Sequence, residues 1–110
     1  RELRRVVAPL SEMEGAIIRK CRRAGVALDE LESLVLVGLG IDRVAGLEGA
    51  ARLKRLYISC NRLRSCQGLE MCAALEALDL ANNELARFDD LVPLRSLPSL
   101  TRLSLERNPL

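Results

Sequence analysis

The spacing LxxLxLxxNxL occurs four times in 110 residues: LESLVLVGLGI from Leu31, LKRLYISCNRL from Leu53, LEALDLANNEL from Leu75 and LTRLSLERNPL from Leu100, with Leu39 in the asparagine place of the first copy. The starting leucines lie 22, 22 and 25 residues apart, so the last interval carries a three-residue insertion. A unit of this length cannot bury its apolar side alone; stacking several copies buries one continuous interior, which makes the chain a solenoid with one coil per copy.

Within each copy the leucines at i, i+3 and i+5 break the 3.6-residue period of a helix, and the last two alternate as in a strand. One short strand per coil follows, paired in parallel with the next, and four such strands span roughly 15 Å. The inward set is Leu31, Leu34, Leu36, Ile41, Val44 and Leu47 in coil one, and Leu53, Leu56, Ile58, Leu63, Cys66 and Leu69 in coil two. Coil three supplies Leu75, Leu78, Leu80, Leu85, Phe88 and Leu91; coil four supplies Leu100, Leu103, Leu105 and Leu110. Asn61, Asn83 and Asn108 hold the ninth place, where the chain leaves the strand; an amide that donates and accepts there suits a structural role, bridging successive coils.

The expected architecture is therefore α/β: a parallel concave sheet of about four short strands, a 3₁₀ or irregular convex side and an N-terminal capping helix. Residues 1–30 form that cap and 31–110 the coils. Ser11 with Glu14 makes a capping box, Gly25 stops the helix, and Leu10, Met13, Ile17, Cys21 and Ala24 share a stripe with Ile18 beside it. Leu91, Leu94, Leu97 and Leu100, three apart, suit a tight helical turn in the longer interval, read as a spacer with Pro93 and Pro98 at its boundaries. Coil four has no polar cap, so one side of Leu103, Leu105 and Leu110 is expected to be open to self-association or to further chain. Arg1 in place of an initiating Met implies a fragment of a longer protein.

The composition removes several functions. With no His the usual general base is missing, no glycine-rich phosphate loop follows a strand, and a non-enzymatic chain without cofactor is expected. Cys60, Cys66 and Cys72 are assigned to the concave surface, the interior and the return side, so they do not converge on a metal; with Cys21 they read as reduced thiols of an intracellular protein. No apolar run is long enough to span a bilayer. Net charge is only +2, and although residues 1–25 hold seven basic against three acidic side chains, Arg19, Lys20, Arg22 and Arg23 read as a solvated helix face; direct nucleic-acid binding is not expected.

What remains is the side of the strands opposite the leucines. It presents Ser33, Val35, Val37 and Gly38; Arg55, Tyr57, Ser59 and Cys60; Ala77, Asp79, Ala81 and Asn82; Arg102, Ser104, Glu106 and Arg107. The candidate partner-binding residues are Val35, Val37, Arg55, Tyr57, Ser59, Asp79, Asn82, Arg102, Glu106 and Arg107. Tyr57 with Arg55 and Arg102 are the expected anchors, being of the types that most often carry interface energy.

Residues 31–110, with LxxLxLxxNxL and the recurring Gly46-Leu47 and Gly68-Leu69, resemble the intracellular 22-residue class of leucine-rich repeats, typified by the regulatory subunit of protein phosphatase 1. The closing DDLVPLRSLPSLTRLSLERNPL is similar to the last repeats of the spliceosomal A-prime subunit and of the leucine-rich axonemal dynein light chain. The resemblance implies an adaptor role: a protein-interaction module of a larger scaffold or regulatory subunit, of cytoskeletal, ciliary or phosphatase-regulatory type. The alternative it implies is a ribonucleoprotein subunit of A-prime type that binds an RNA-binding protein. The compartment expected is cytoplasmic or cytoskeletal, with the nucleus allowed by the alternative.

Overall fold

The computed structural model describes residues 9–110. Helix α1 (Glu12–Ala24) precedes four three-residue strands, β1 (Ser33–Val35), β2 (Arg55–Tyr57), β3 (Ala77–Asp79) and β4 (Arg102–Ser104). They form one parallel sheet in chain order. The register places Leu34, Leu56, Leu78 and Leu103 side by side, so each strand repeats its neighbour one coil further on. Backbone pairing outlasts the strands: Leu36 donates to Tyr57 O, Ile58 to Asp79 O and Leu80 to Ser104 O, at 2.7, 3.0 and 2.9 Å.

The interior is the stacked aliphatic set. Leu34, Leu36, Leu53, Leu56, Ile58, Leu75, Leu78 and Leu80 are all buried, and each contributes roughly 1.5–3 kcal/mol relative to an exposed side chain. In the last coil Leu103, on β4, is 43% exposed and Leu110, beyond it, 42%. Where each strand ends, an asparagine amide replaces the missing ladder. Asn83 Nδ2 donates to Ile58 O and Leu80 O, both at 3.0 Å, while its Oδ1 accepts Leu63 N at 3.0 Å. Asn61 does the same one coil earlier, bonding Leu36 O at 2.8 Å and accepting from Leu39 and Ile41. Asn108 accepts Leu85 N at 3.0 Å and donates to Leu80 O at 2.9 Å from a half-buried position.

Helix α1 closes the first coil. Ser11 Oγ accepts Glu14 N at 3.2 Å and Glu14 Oε1 accepts Ser11 N at 2.9 Å, the reciprocal box that satisfies two orphan donors. Gly25 ends the helix at φ 70, a left-handed conformation that costs glycine least. Met13, Ala16 and Ile17 are buried, and Met13 Sδ accepts Ala45 N at 3.3 Å. The approach is close enough that a Cβ on Gly46 would sit 3.0 Å from Glu14 Cγ. The helix docks along Met13, Ala16 and Ile17, so Leu10 and Ala24, expected on its apolar stripe, are exposed. Of the predicted 1–30 cap, residues 1–8 lie outside the described part of the chain.

The convex side departs from expectation at Phe88, Cys72 and Pro93. Ala50 N bonds Leu47 O, Cys72 N bonds Leu69 O and Leu97 N bonds Leu94 O, so Ala50, Cys72 and Leu97 are equivalent, and all three are buried. The three extra residues of coil three therefore come before Leu91, which succeeds Cys66 in the stack. Phe88, expected inward, instead opens the 3₁₀ helix Phe88–Ser96 and is 82% exposed. Cys72, expected on the return side, fills the interior between Ala50 and Leu97. Pro93 lies inside the 3₁₀ helix, away from its boundary. Its missing N–H would have bonded Asp90 O, and that carbonyl instead accepts Cys66 N of the preceding coil at 2.9 Å.

Candidate functional site

Because side chains alternate along each strand, inward leucines leave the intervening residues on one shared surface. Two rows cross the strands there. One reads Ser33, Arg55, Ala77, Arg102 and the other Val35, Tyr57, Asp79, Ser104. Two residues further along each chain come Val37, Ser59, Ala81 and Glu106, held in step where Gly38 N bonds Ser59 O, Cys60 N bonds Ala81 O and Asn82 N bonds Glu106 O. The row closes at Gly38, Cys60, Asn82 and Arg107, all with φ between 56 and 69. At this point each coil turns away from the sheet, and the left-handed conformation recurs whatever the side chain.

The face divides into two halves. Val35 and Val37 are 46% and 44% exposed, beside half-buried Tyr57. Across β3 and β4 a depression of about 300 Å³ is lined by Tyr57, Ala77, Asp79, Arg102 and Ser104, with Leu78 and Leu103 also reaching it. Asp79 is held in place as Oδ1 accepts Ala81 N at 3.0 Å. Of the residues expected to bind a partner, Tyr57, Asp79 and Arg102 thus meet in one hollow, and Val35 and Val37 make a separate apolar edge. Arg55 stands across Ala77 from Arg102. Ser59, Asn82, Glu106 and Arg107 lie on the same face outside the hollow. Ala77 and Ser104 complete it, and the signal for them was the small residue between two arginines, which has meaning only once the register is known.

Comparison with known proteins identifies the fold family. A family model described as leucine-rich repeat matches residues 4–110. The chain belongs to the leucine-rich repeat family. It is similar to the U2 small nuclear ribonucleoprotein A′ of Homo sapiens, with 36% identity over 100 residues that cover 89% of this chain and 39% of that protein. A Mus musculus serine/threonine-protein kinase 11-interacting protein is 48% identical over 65 residues, 59% of this chain and 6% of its own length. Among solved structures, a chain of the Drosophila melanogaster SNF/U2A′ complex superimposes with TM-score 0.70 at 30% identity, covering 76% of this chain and 49% of that one. The chain thus spans about two fifths of the length of the A′ relative.

The other reactive groups of this leucine-rich repeat domain are placed for structure. All four cysteines are free thiols. Burial pushes the Cys66 thiol up to about 12, with the Asp90 charge adding to it, and Cys72 up to about 11 by burial and then Glu70. Both stay protonated and unreactive at neutral pH. Cys60 alone of the four is exposed. Asp90 sits below the usual carboxylate range because the backbone N–H groups of Arg87 and Ala86 bond it, at 3.0 and 3.1 Å. Among the described residues no three metal-ligating side chains cluster, and no helix is long and apolar enough to cross a membrane.

Proposed function

We propose that this leucine-rich repeat domain is a non-catalytic protein-interaction module of a larger scaffold, adaptor or regulatory subunit, and that it holds another protein on its concave face. The observation that carries the reading is the exposed pair Val35 and Val37 beside Tyr57. The interior is complete without them, so their apolar surface has no internal task. Tyr57, Arg55 and Arg102 then serve as anchors, with Ser59, Asp79, Asn82, Glu106 and Arg107 around them as a polar surround.

Of the settings that the sequence resemblance implied, the ribonucleoprotein one has the support of a relative at 36% identity over most of the chain and of a solved neighbour in complex with SNF. In that setting the domain is intracellular and nuclear, and meets RNA through its protein partner or through the basic helix. Titrating purified Drosophila SNF into the chain tests it. Binding that Val35→Asp and Tyr57→Ala abolish supports both the setting and the face. Binding that survives both substitutions moves the interface elsewhere, and absence of binding removes the A′-type setting. The exposed Leu103 and Leu110 also offer the β4 edge to a second copy. A sedimentation mass that stays monomeric at high concentration would exclude self-association there.

A further inference from the structure

The register puts Arg55 and Arg102 two strands apart with only the methyl group of Ala77 between them. At about 4.8 Å per strand their backbones are roughly 10 Å apart, a gap that two arginine side chains can close around one small group standing on Ala77. Both arginines are exposed, and among the described residues neither has a carboxylate within ion-pairing distance, whereas Arg62, Arg64 and Arg87 each have one. Asp79, the nearest acid in the next row, has one oxygen engaged along its own strand by Ala81 N. The hollow beside the gap adds Tyr57 and Ser104, the Ser104 hydroxyl donating to Glu106 Oε1 at 3.4 Å.

We propose that the Arg55–Ala77–Arg102 notch receives an acidic side chain of the protein partner, its carboxylate bridging the two guanidinium groups. The inference rests on the concave-face reading above and names the chemistry by which that face selects. A carboxylate takes two parallel N–H bonds from a guanidinium, so one acidic side chain standing on Ala77 can engage both arginines at once. Ala77 is the specificity element: a larger side chain in its place fills the gap without touching the interior, since the residue points away from the leucine stack.

The test is an NMR titration of the labelled chain with N-acetyl-glutamate N-methylamide and with the corresponding glutamine compound, a neutral isostere. Weak, saturable shifts at the Arg55, Ala77 and Arg102 amides and at the two arginine side-chain N–H groups are expected with the glutamate compound alone. Arg55→Gln or Arg102→Gln should each weaken the binding by about two- to fivefold, as for an exposed ion pair, and Ala77→Leu should abolish it. Equal shifts with the glutamine compound, or unchanged binding in Arg55→Gln/Arg102→Gln, would overturn the proposal. So would much tighter binding of phosphoserine or poly(U), which would reassign the notch to phosphate. Because all these positions face solvent, the variants keep the fold, which the unchanged amide spectrum of the leucine stack verifies. If Val35→Asp removes a protein partner that Arg55→Gln/Arg102→Gln retains, the notch fails while the concave face stands; if neither substitution matters, both readings fail.

Discussion

The side-chain oxygen of Asn61 accepts the backbone N–H of Ile41, twenty residues earlier, at 3.0 Å. Through such amides each coil is bonded to the one before it at the place where strand pairing ends. The same oxygen also accepts Leu39 N at 2.9 Å: the first coil supplies backbone donors to the amide of the second, and among the described residues no earlier coil needs an amide from position 39.

Removing one of these amides should therefore be costly and graded. Asn61→Ala or Asn83→Ala strands several buried backbone groups and is expected to lower stability by about 2–4 kcal/mol, against about 1 kcal/mol for half-buried Asn108→Ala. Urea unfolding of the three variants measures it. Equal losses at all three sites would show that burial does not set the cost.

Truncating the stack and truncating its surface should part company sharply. Leu56→Ala or Leu78→Ala opens a cavity and is expected to cost about 2–5 kcal/mol, whereas Phe88→Ala, at a side chain 82% exposed, should change stability by less than about 0.5 kcal/mol. Thermal denaturation decides between this placement and an inward Phe88, which would make the phenylalanine the more expensive loss.

Alkaline pH should weaken the fold through its buried thiols. The folded values of Cys66 and Cys72, about 12 and 11, stand above the ordinary 9.0, so the folded chain binds these protons more firmly than the unfolded one. Their contribution is complete below pH 9 and drains away as pH rises toward 11 and 12. Cys66→Ala and Cys72→Ala start from lower stability but should lose it less steeply over that window. Native-state labelling with a thiol reagent should modify Cys60 first and reach Cys66 and Cys72 only on unfolding.

Acid acts with the opposite sign at two carboxylates. Glu14 is held below its ordinary 4.5 by the Ser11 backbone N–H and then the Ser11 hydroxyl, and Asp90 below 3.8 by the Arg87 and Ala86 amides. What each adds is present above those ordinary values and is lost as pH falls through the lowered ones. Glu14→Gln and Asp90→Asn should flatten the acid limb of the stability curve. An unchanged slope in both would mean that neither cap is felt by the folded state.

The strand register was readable in the repeat itself, because a period of two inside a period of 22 admits one stacking of Leu34, Leu56, Leu78 and Leu103. The helix caps were equally local, each depending on residues three apart. The place of the insertion was not: counting forward from Leu75 puts Phe88 in line with Cys66, whereas the matching bonds at Ala50, Cys72 and Leu97 show that the extra residues come before Leu91. Cys72 precedes the insertion and was hidden for another reason: its burial follows from its equivalence to Ala50 and Leu97, a place that the inward set left out of every coil. On the concave face, membership followed from alternation alone. The hollow did not, since it gathers residues of three strands, Ala77 among them with cross-strand neighbours 22 and 25 residues away in sequence.

The row Val35, Tyr57, Asp79 and Ser104 draws each of its members from a different turn of the chain, over a backbone whose course is dictated from the opposite side of the sheet. An exchange at one of them leaves the bonding of the other three undisturbed. Recognition in such a molecule can be rewritten letter by letter over generations, with no intermediate that has to fold differently.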